Sequence, residues 1–143
     1  TYPVSGKFSQ RQREIYQIVF DAQKAAIAKI KPGARLNDIH QAAVNHIRSK
    51  GYEKYFVHGT SHHIGLEVHD VGQPSRPLEP NMVITVEPGI YVRPADGVPE
   101  RFWHIGIRIE DDVVVTGDGY RLLTASAPKT VAEIEAIVGT THG

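Results

Sequence analysis

GIRIEDDVVVT, residues 106–116, alternates small or charged side chains with branched aliphatics, the pattern of an extended chain that buries one face. Ile105, Ile107 and Ile109 fall on one side, and Gly106, Arg108 and Glu110 on the other. Residues 106–110 and 113–116 read as two strands, close enough across the turn-prone pair Asp111-Asp112 to form a hairpin. Upstream, MVITVEPGIYV (82–92) supplies a strand over 82–86, with Val83, Thr85 and Glu87 sharing a face. Gly117-Asp118-Gly119 signals another turn ahead of a strand at 120–123. The sheet is therefore expected to be largely antiparallel.

Outside this region the period changes. Ser9 with Gln12 three residues on has the form of a capping box, and Ile15, Val19, Ala22, Ala26 and Ile30 recur at helical spacing. A long amphipathic helix is expected, stopped by Pro32-Gly33. A second carries Ile39, Ala43 and Ile47 along one face and ends at Gly51. Both apolar stripes are expected to cover one face of the sheet. Thr130 with Glu133 opens a short closing helix, with Ile134, Ile137 and Val138 on one side. Thr1-Tyr2-Pro3-Val4 reads as the end of a strand, a period of two is expected from Tyr55 to about Leu123, and Pro94, Gly97 and Pro99 mark 93–99 as a loop. The fold class is α+β: helices packed on a curved, mostly antiparallel sheet.

The 143 residues suit one domain. Hydrophobic residues at 41% and charged residues at 22% match a globular chain, and sixteen basic against sixteen acidic residues leave no cationic stripe for nucleic acid. No cysteine is present, which excludes disulfides, thiolate ligands and a cysteine nucleophile. No apolar stretch reaches the roughly 18 residues that cross a bilayer, and no signal peptide opens the sequence. A cytoplasmic location is expected, with neither membrane nor nucleic acid as partner.

Chemistry concentrates in HGTSHHIGLEVH, residues 58–69, which holds four of the eight histidines interleaved with small and apolar residues, Gly59 and Gly65 among them. Glu87 closes one apolar run and Glu110 another. A carboxylate in such a place is costly unless paired or coordinated, so His62, Glu87 and Glu110 read together as ligands of one metal centre. His58 and His62 are four apart, but no Glu follows the first and Gly59, Thr60 and Ser61 are poor helix formers, which sets aside a helical zinc motif. His40, His46, His104 and His142 read as structural or surface residues, and His63 as a neighbour of the site. One imidazole with two carboxylates suits Mn, Co, Fe or Zn, and bridging carboxylates allow two ions. Such a pair would lower the pKa of a shared water to give hydroxide near neutral pH. His58 and His69 would be free to contact substrate or stabilise an oxyanion.

HGTSHHIGLEVHDVG, MVITVEPGIYV and GIRIEDDVVVT together resemble the metal-site motifs of the pita-bread metallopeptidases, in the branch of the Xaa-Pro aminopeptidases (aminopeptidase P), with prolidases next. The resemblance runs from TYPVSGKFSQRQREIY to LLTASAPKTVAEIE. It implies a partial pita-bread fold, metal ligation by His62, Glu87 and a bridging Glu110, and proton handling by Glu87. It also implies substrate contacts from His58 and His69, and an Arg108 that holds Glu110. The implied reaction is hydrolysis of an N-terminal Xaa-Pro bond through a dinuclear metal-bound hydroxide. Two divalent ions are implied, Mn²⁺ foremost with Co²⁺ or Zn²⁺ as alternatives, acting on peptides with proline second, in a homo-oligomer. The family adds two aspartate ligands from a hairpin upstream of TYPV, and Asp21 and Asp38, in helices, do not replace them. Residues 1–143 are thus expected to be the C-terminal part of one catalytic domain, with three of five ligands and little or no activity alone. The alternatives are a prolidase acting on dipeptides and a non-catalytic pita-bread binding module.

Overall fold

The computed structural model describes residues 1–95 and 97–138. Its elements are α1 (Gln10–Ile27), α2 (Leu36–Ser49), β1 (Val83–Val86), β2 (Gly89–Val92), β3 (Ile105–Arg108), β4 (Asp111–Val115), β5 (Tyr120–Leu122) and α3 (Val131–Val138), with single 3-10 turns at Glu53–Tyr55 and Glu100–Phe102. The first helix begins as its sequence dictates. Ser9 Oγ accepts from the Gln12 amide at 3.3 Å while Gln12 Oε1 accepts from the Ser9 amide at 2.8 Å, a reciprocal cap worth about 1 kcal/mol. The helix stops at Ile27, before Pro32, and tight bonds from Lys29 N to Ala26 O and Ile30 N to Ile27 O carry the chain out of it. Gly51, at φ +82°, ends α2 in the left-handed conformation that glycine adopts without strain. Thr130 and Glu133 cap α3 as expected.

Ile15, Val19, Ala22 and Ala26 of α1 are wholly buried, as are Ile39, Ala43 and Ile47 of α2. The packing differs in one respect from two helices laid side by side on a sheet: α1 lies against β1, β2 and β3, and α2 packs along α1. Of the three aliphatics expected to seat α3, Ile134 is buried, while Ile137 and Val138 face outward. No helix among the described residues is long and apolar enough to cross a membrane.

The expected hairpin across Asp111-Asp112 does not form. β1 pairs antiparallel with β4, Val83 facing Val114 and Val86 facing Asp111, while β2 pairs with β3, Gly89 facing Arg108 and Val92 facing Ile105. Stepping one residue at a time from Val86–Asp111 to Gly89–Arg108 shows a single register through both pairs. Residues 83–92 and 105–115 therefore run as two long neighbouring strands that open briefly at Glu87-Pro88. Asp111 is strand rather than turn because its carboxylate is buried, accepting from Lys129 Nζ at 2.7 Å and Thr124 Oγ1 at 2.5 Å. A neutralised, hydrogen-bonded aspartate no longer favours a turn. β4 also pairs with β5 across the turn at Gly117-Asp118-Gly119, as its glycines indicate, and the described residues of 93–104 link β2 to β3 outside any strand, with the 3-10 turn at Glu100–Phe102 among them.

Period-two structure begins at Val83, later than expected. Between Tyr55 and Met82 the backbone is mostly irregular, with one bridge between His63 and Ile84. Thr1-Tyr2-Pro3-Val4 forms no strand either; Gly6 N bonds Pro3 O in a turn, and Thr1 Oγ1 accepts from the Arg108 amide at 2.9 Å beside β3.

Candidate metal centre

The common register explains why two acidic side chains meet. Glu87 stands across from Glu110, and Pro88 across from Ile109, where one weak bond of 3.4 Å runs from Ile109 N to Pro88 O. Directly opposed residues in antiparallel strands put their side chains on one face, about 5 Å apart at Cβ. Pro88 has no amide hydrogen to give, and the Glu87 amide turns away to Thr60 O at 2.8 Å.

That outward bond belongs to a short third segment. Thr85 N donates to His62 O at 2.9 Å and Ile64 N to Val83 O at 3.0 Å, so residues 60–64 run antiparallel along the free edge of β1. His62 lies beside Thr85, and its own amide donates to Thr85 Oγ1 at 3.0 Å. His62, Glu87 and Glu110 thus come from three adjacent extended segments and share one face. Each offers a ligand atom within 4.8 Å of the others, and among the described residues theirs is the one His/Asp/Glu group this close.

Hydrogen bonding fixes the imidazole. His62 Nδ1 lies 3.0 Å from His63 O, and a carbonyl only accepts, so Nδ1 carries the hydrogen and Nε2 faces Glu87 Oε1 at 3.0 Å. A lone pair on Nε2 against a carboxylate oxygen is repulsive unless a proton or a metal ion lies between. Thr85 Oγ1 donates to Glu87 Oε1 at 3.3 Å, and Arg108 donates from a terminal nitrogen to Glu87 Oε2 at 3.2 Å. Arg108 therefore hydrogen-bonds Glu87, while the link to Glu110 expected from the sequence is electrostatic.

Arg108 also donates from Nε to the Tyr91 hydroxyl at 2.6 Å, and that hydroxyl lies 3.2 Å from His58 Nε2. His58 Nδ1 is bonded to Gly59 O at 2.7 Å, which leaves Nε2 to accept from Tyr91. A side-chain carbon on Gly89 would meet both the Tyr91 hydroxyl and His58 Nε2, so glycine there makes room for their contact. His69 is exposed, with its ring tilted against that of His62 and the centroids 4.1 Å apart. The other histidines stand apart: His40 bonds Thr60 Oγ1, the His63 ring packs on Gly72, and His104 is exposed at φ +63°. His46 is half-buried on α2, and His142 lies outside the described residues. Asp21 pairs with Lys24, and Asp38 accepts from the Arg35 amide at the start of α2.

Thr85, placed on the face of Glu87 from the sequence, had no role assigned there, and two further contributors escaped the reading: Tyr91, on the same face by simple alternation, and Asp70, which gave no signal.

Partial burial, then the nearby carboxylates of Glu87 and Asp112, raise the Glu110 pKa above the ordinary value, while Arg108 and His62 pull it back. Arg108 is held charged: desolvation works against it, but Tyr91, Glu87 and Glu110 outweigh that. A folded carboxyl with a raised pKa opposes folding once ionised, and the opposition fades as the pH falls through its folded value towards its unfolded one. Glu110→Gln is therefore expected to stabilise the chain at pH 7 without added metal, by about 0.5 kcal/mol because solvent screens this exposed group, and to abolish the pH dependence it causes. Urea titrations at pH 4, 5.5 and 7 measure this; a destabilised Gln variant at pH 7 would refute it.

The donor set fits a divalent first-row ion: one imidazole nitrogen and two carboxylates, in a recess where added positive charge relieves repulsion. The profile of "Metallopeptidase family M24" matches residues 1–117. An Xaa-Pro aminopeptidase of Haemophilus influenzae is 44% identical over 96% of this chain, and one of Escherichia coli is 42% identical over 96%. The chain spans only 37% and 36% of those relatives. Among solved structures, aminopeptidase PepP of Pseudomonas aeruginosa superposes with a TM-score of 0.88 at 40% identity, over 96% of this chain and 36% of that one. The α+β architecture is thus part of the pita-bread fold, as the resemblance implied.

Proposed function

The chain belongs to metallopeptidase family M24, and we propose that the protein carrying it is an Xaa-Pro aminopeptidase, which hydrolyses the amide bond ahead of a proline in second position. One observation carries this reading: ligand atoms of His62, Glu87 and Glu110 come within 4.8 Å of one another from three neighbouring extended segments. The names of its relatives supply the substrate class.

His62, Glu87 and Glu110 would hold the divalent metal, together with carboxylates outside these residues. Bound divalent ions supply Lewis acidity, polarising the scissile carbonyl and making water nucleophilic near neutral pH. Glu87 takes the proton from the attacking water. Arg108 holds its Oε2 and Thr85 its Oε1, so the carboxylate stands fixed on the face where that proton is handed over. His58, with Nε2 directed by the Tyr91–Arg108 pair, and His69, its ring tilted against that of His62, flank the same face and contact the peptide. The Nδ1 bond to His63 O keeps the His62 ring in the one orientation that offers Nε2.

Calorimetric titration with Mn²⁺ tests the ligand set. The intact protein should bind two ions and lose tight binding on His62→Ala, whereas residues 1–143 alone should hold at most one ion weakly and be inactive or nearly so. Rates on an Xaa-Pro dipeptide and an Xaa-Pro tripeptide then separate a prolidase from an aminopeptidase. Tripeptide hydrolysis that survives His62→Ala undiminished, or its absence from the intact metal-loaded protein, would remove the proposal.

A further inference from the structure

The loop that carries His69 is interlocked with itself by two glycines. The Asp70 carboxylate occupies the space where a Gly65 side chain would begin, and the His63 ring occupies the corresponding space at Gly72. Polar bonds close the same loop. Asp70 Oδ2 accepts from the Leu66 amide at 3.2 Å, Asp70 Oδ1 accepts from the Val71 amide at 2.8 Å, and the Asp70 amide donates to His63 O at 3.1 Å. Apolar burial does little here, since Leu66, Val68 and Val71 are all exposed. A segment without buried apolar contacts opens easily unless something else holds it. At one end the loop passes directly into His62, and at the other it places the His69 ring 4.1 Å from the His62 ring.

Resting on the function proposed above, we propose that Asp70 is a positioning residue: it clasps the loop from His63 to Gly72 so that His69 stands preformed over the metal face. Asp70 touches neither the metal cluster nor the substrate and acts through His69. The loop is then a fixed wall of the site, not a closing lid. Gly65 belongs to the same device, because any side chain there displaces the carboxylate.

The test is a double-variant cycle in the full-length, Mn²⁺-loaded protein, with Asp70→Ala and Asp70→Asn each made alone and together with His69→Ala. Asp70→Ala should keep the metal content and lower kcat/KM for an Xaa-Pro tripeptide by on the order of 10- to 100-fold, the scale of a misplaced catalytic contact. In the His69→Ala background it should cost nothing further. Asp70→Asn, which retains one acceptor oxygen, should fall between wild type and Asp70→Ala. Equal losses in both backgrounds, or no loss in either, would overturn the proposal. Amide exchange at Leu66 and Val71 and the resonances of the His69 ring give a readout independent of turnover: both should change in Asp70→Ala, and unchanged signals would overturn it. If the wild-type protein cleaves no Xaa-Pro peptide, the proposed function fails while these two signals still decide the clasp.

Discussion

Glu87→Ala is expected to lower kcat/KM of the full-length protein by about 10²–10⁴-fold and to strip the site of tightly held metal. The carboxylate is only 8% exposed and has three partners: His62 Nε2, Thr85 Oγ1 and Arg108. Removing it deletes a ligand and the proton acceptor together. It also leaves the Arg108 guanidinium facing the recess with only Glu110 to offset it, and that charge opposes any cation approaching Glu110. Glu87→Gln separates these effects. An amide of the same shape keeps one acceptor oxygen for Arg108 and turns its amino group to Thr85, whose hydroxyl can accept instead of donate, so folding should survive, but it neither takes a proton nor offers an anionic ligand. The expectation is a stable protein with metal affinity and turnover both reduced, read from metal content and steady-state rates. A Gln variant that turns over within tenfold of wild type would mean that the proton goes elsewhere.

The convergence of Glu87 and Glu110 was legible from alternation even though the assumed hairpin was not there. Side-chain parity along a strand does not depend on which neighbour the strand pairs with, so Arg108 and Glu110 stay on one face whether residues 111–112 turn or continue. What alternation could not reveal was the partner of Arg108. Glu110, two residues along the same strand, and Glu87, diagonally across the ladder, both start roughly 7 Å away, and it is Glu87 that Arg108 hydrogen-bonds. Helix starts were plain because capping is local: Ser9 with Gln12 and Thr130 with Glu133 needed no distant partner. Tyr91 was hidden because a tyrosine in an aliphatic run reads as core, and Asp70 because its partners are backbone amides, which every residue has. The misread Asp111 has the same cause at longer range: its cation is Lys129, eighteen residues away on the far side of β5.

That buried pair carries the largest stability effect expected outside the core, with Lys129→Ala costing about 3–5 kcal/mol. Asp111 is 1% exposed, and Lys129 supplies its charge partner while also donating to Thr124 O at 3.0 Å. Without the ammonium, a carboxylate remains buried with only the Thr124 hydroxyl and little water, an uncompensated charge rather than a missing contact. The double variant Asp111→Leu/Lys129→Met removes both charges at similar volume and should recover most of the loss, because desolvating an ion pair offsets much of what its attraction gives. Urea denaturation of the four proteins measures this, and a double variant as unstable as Lys129→Ala would contradict it. The consequence reaches the site: Asp111 is the neighbour of Glu110, so the anchor that holds β4 in register also sets where that carboxylate stands. Lys129→Ala should therefore weaken Mn²⁺ binding as well, whereas a pair that mattered only to the core would leave it unchanged.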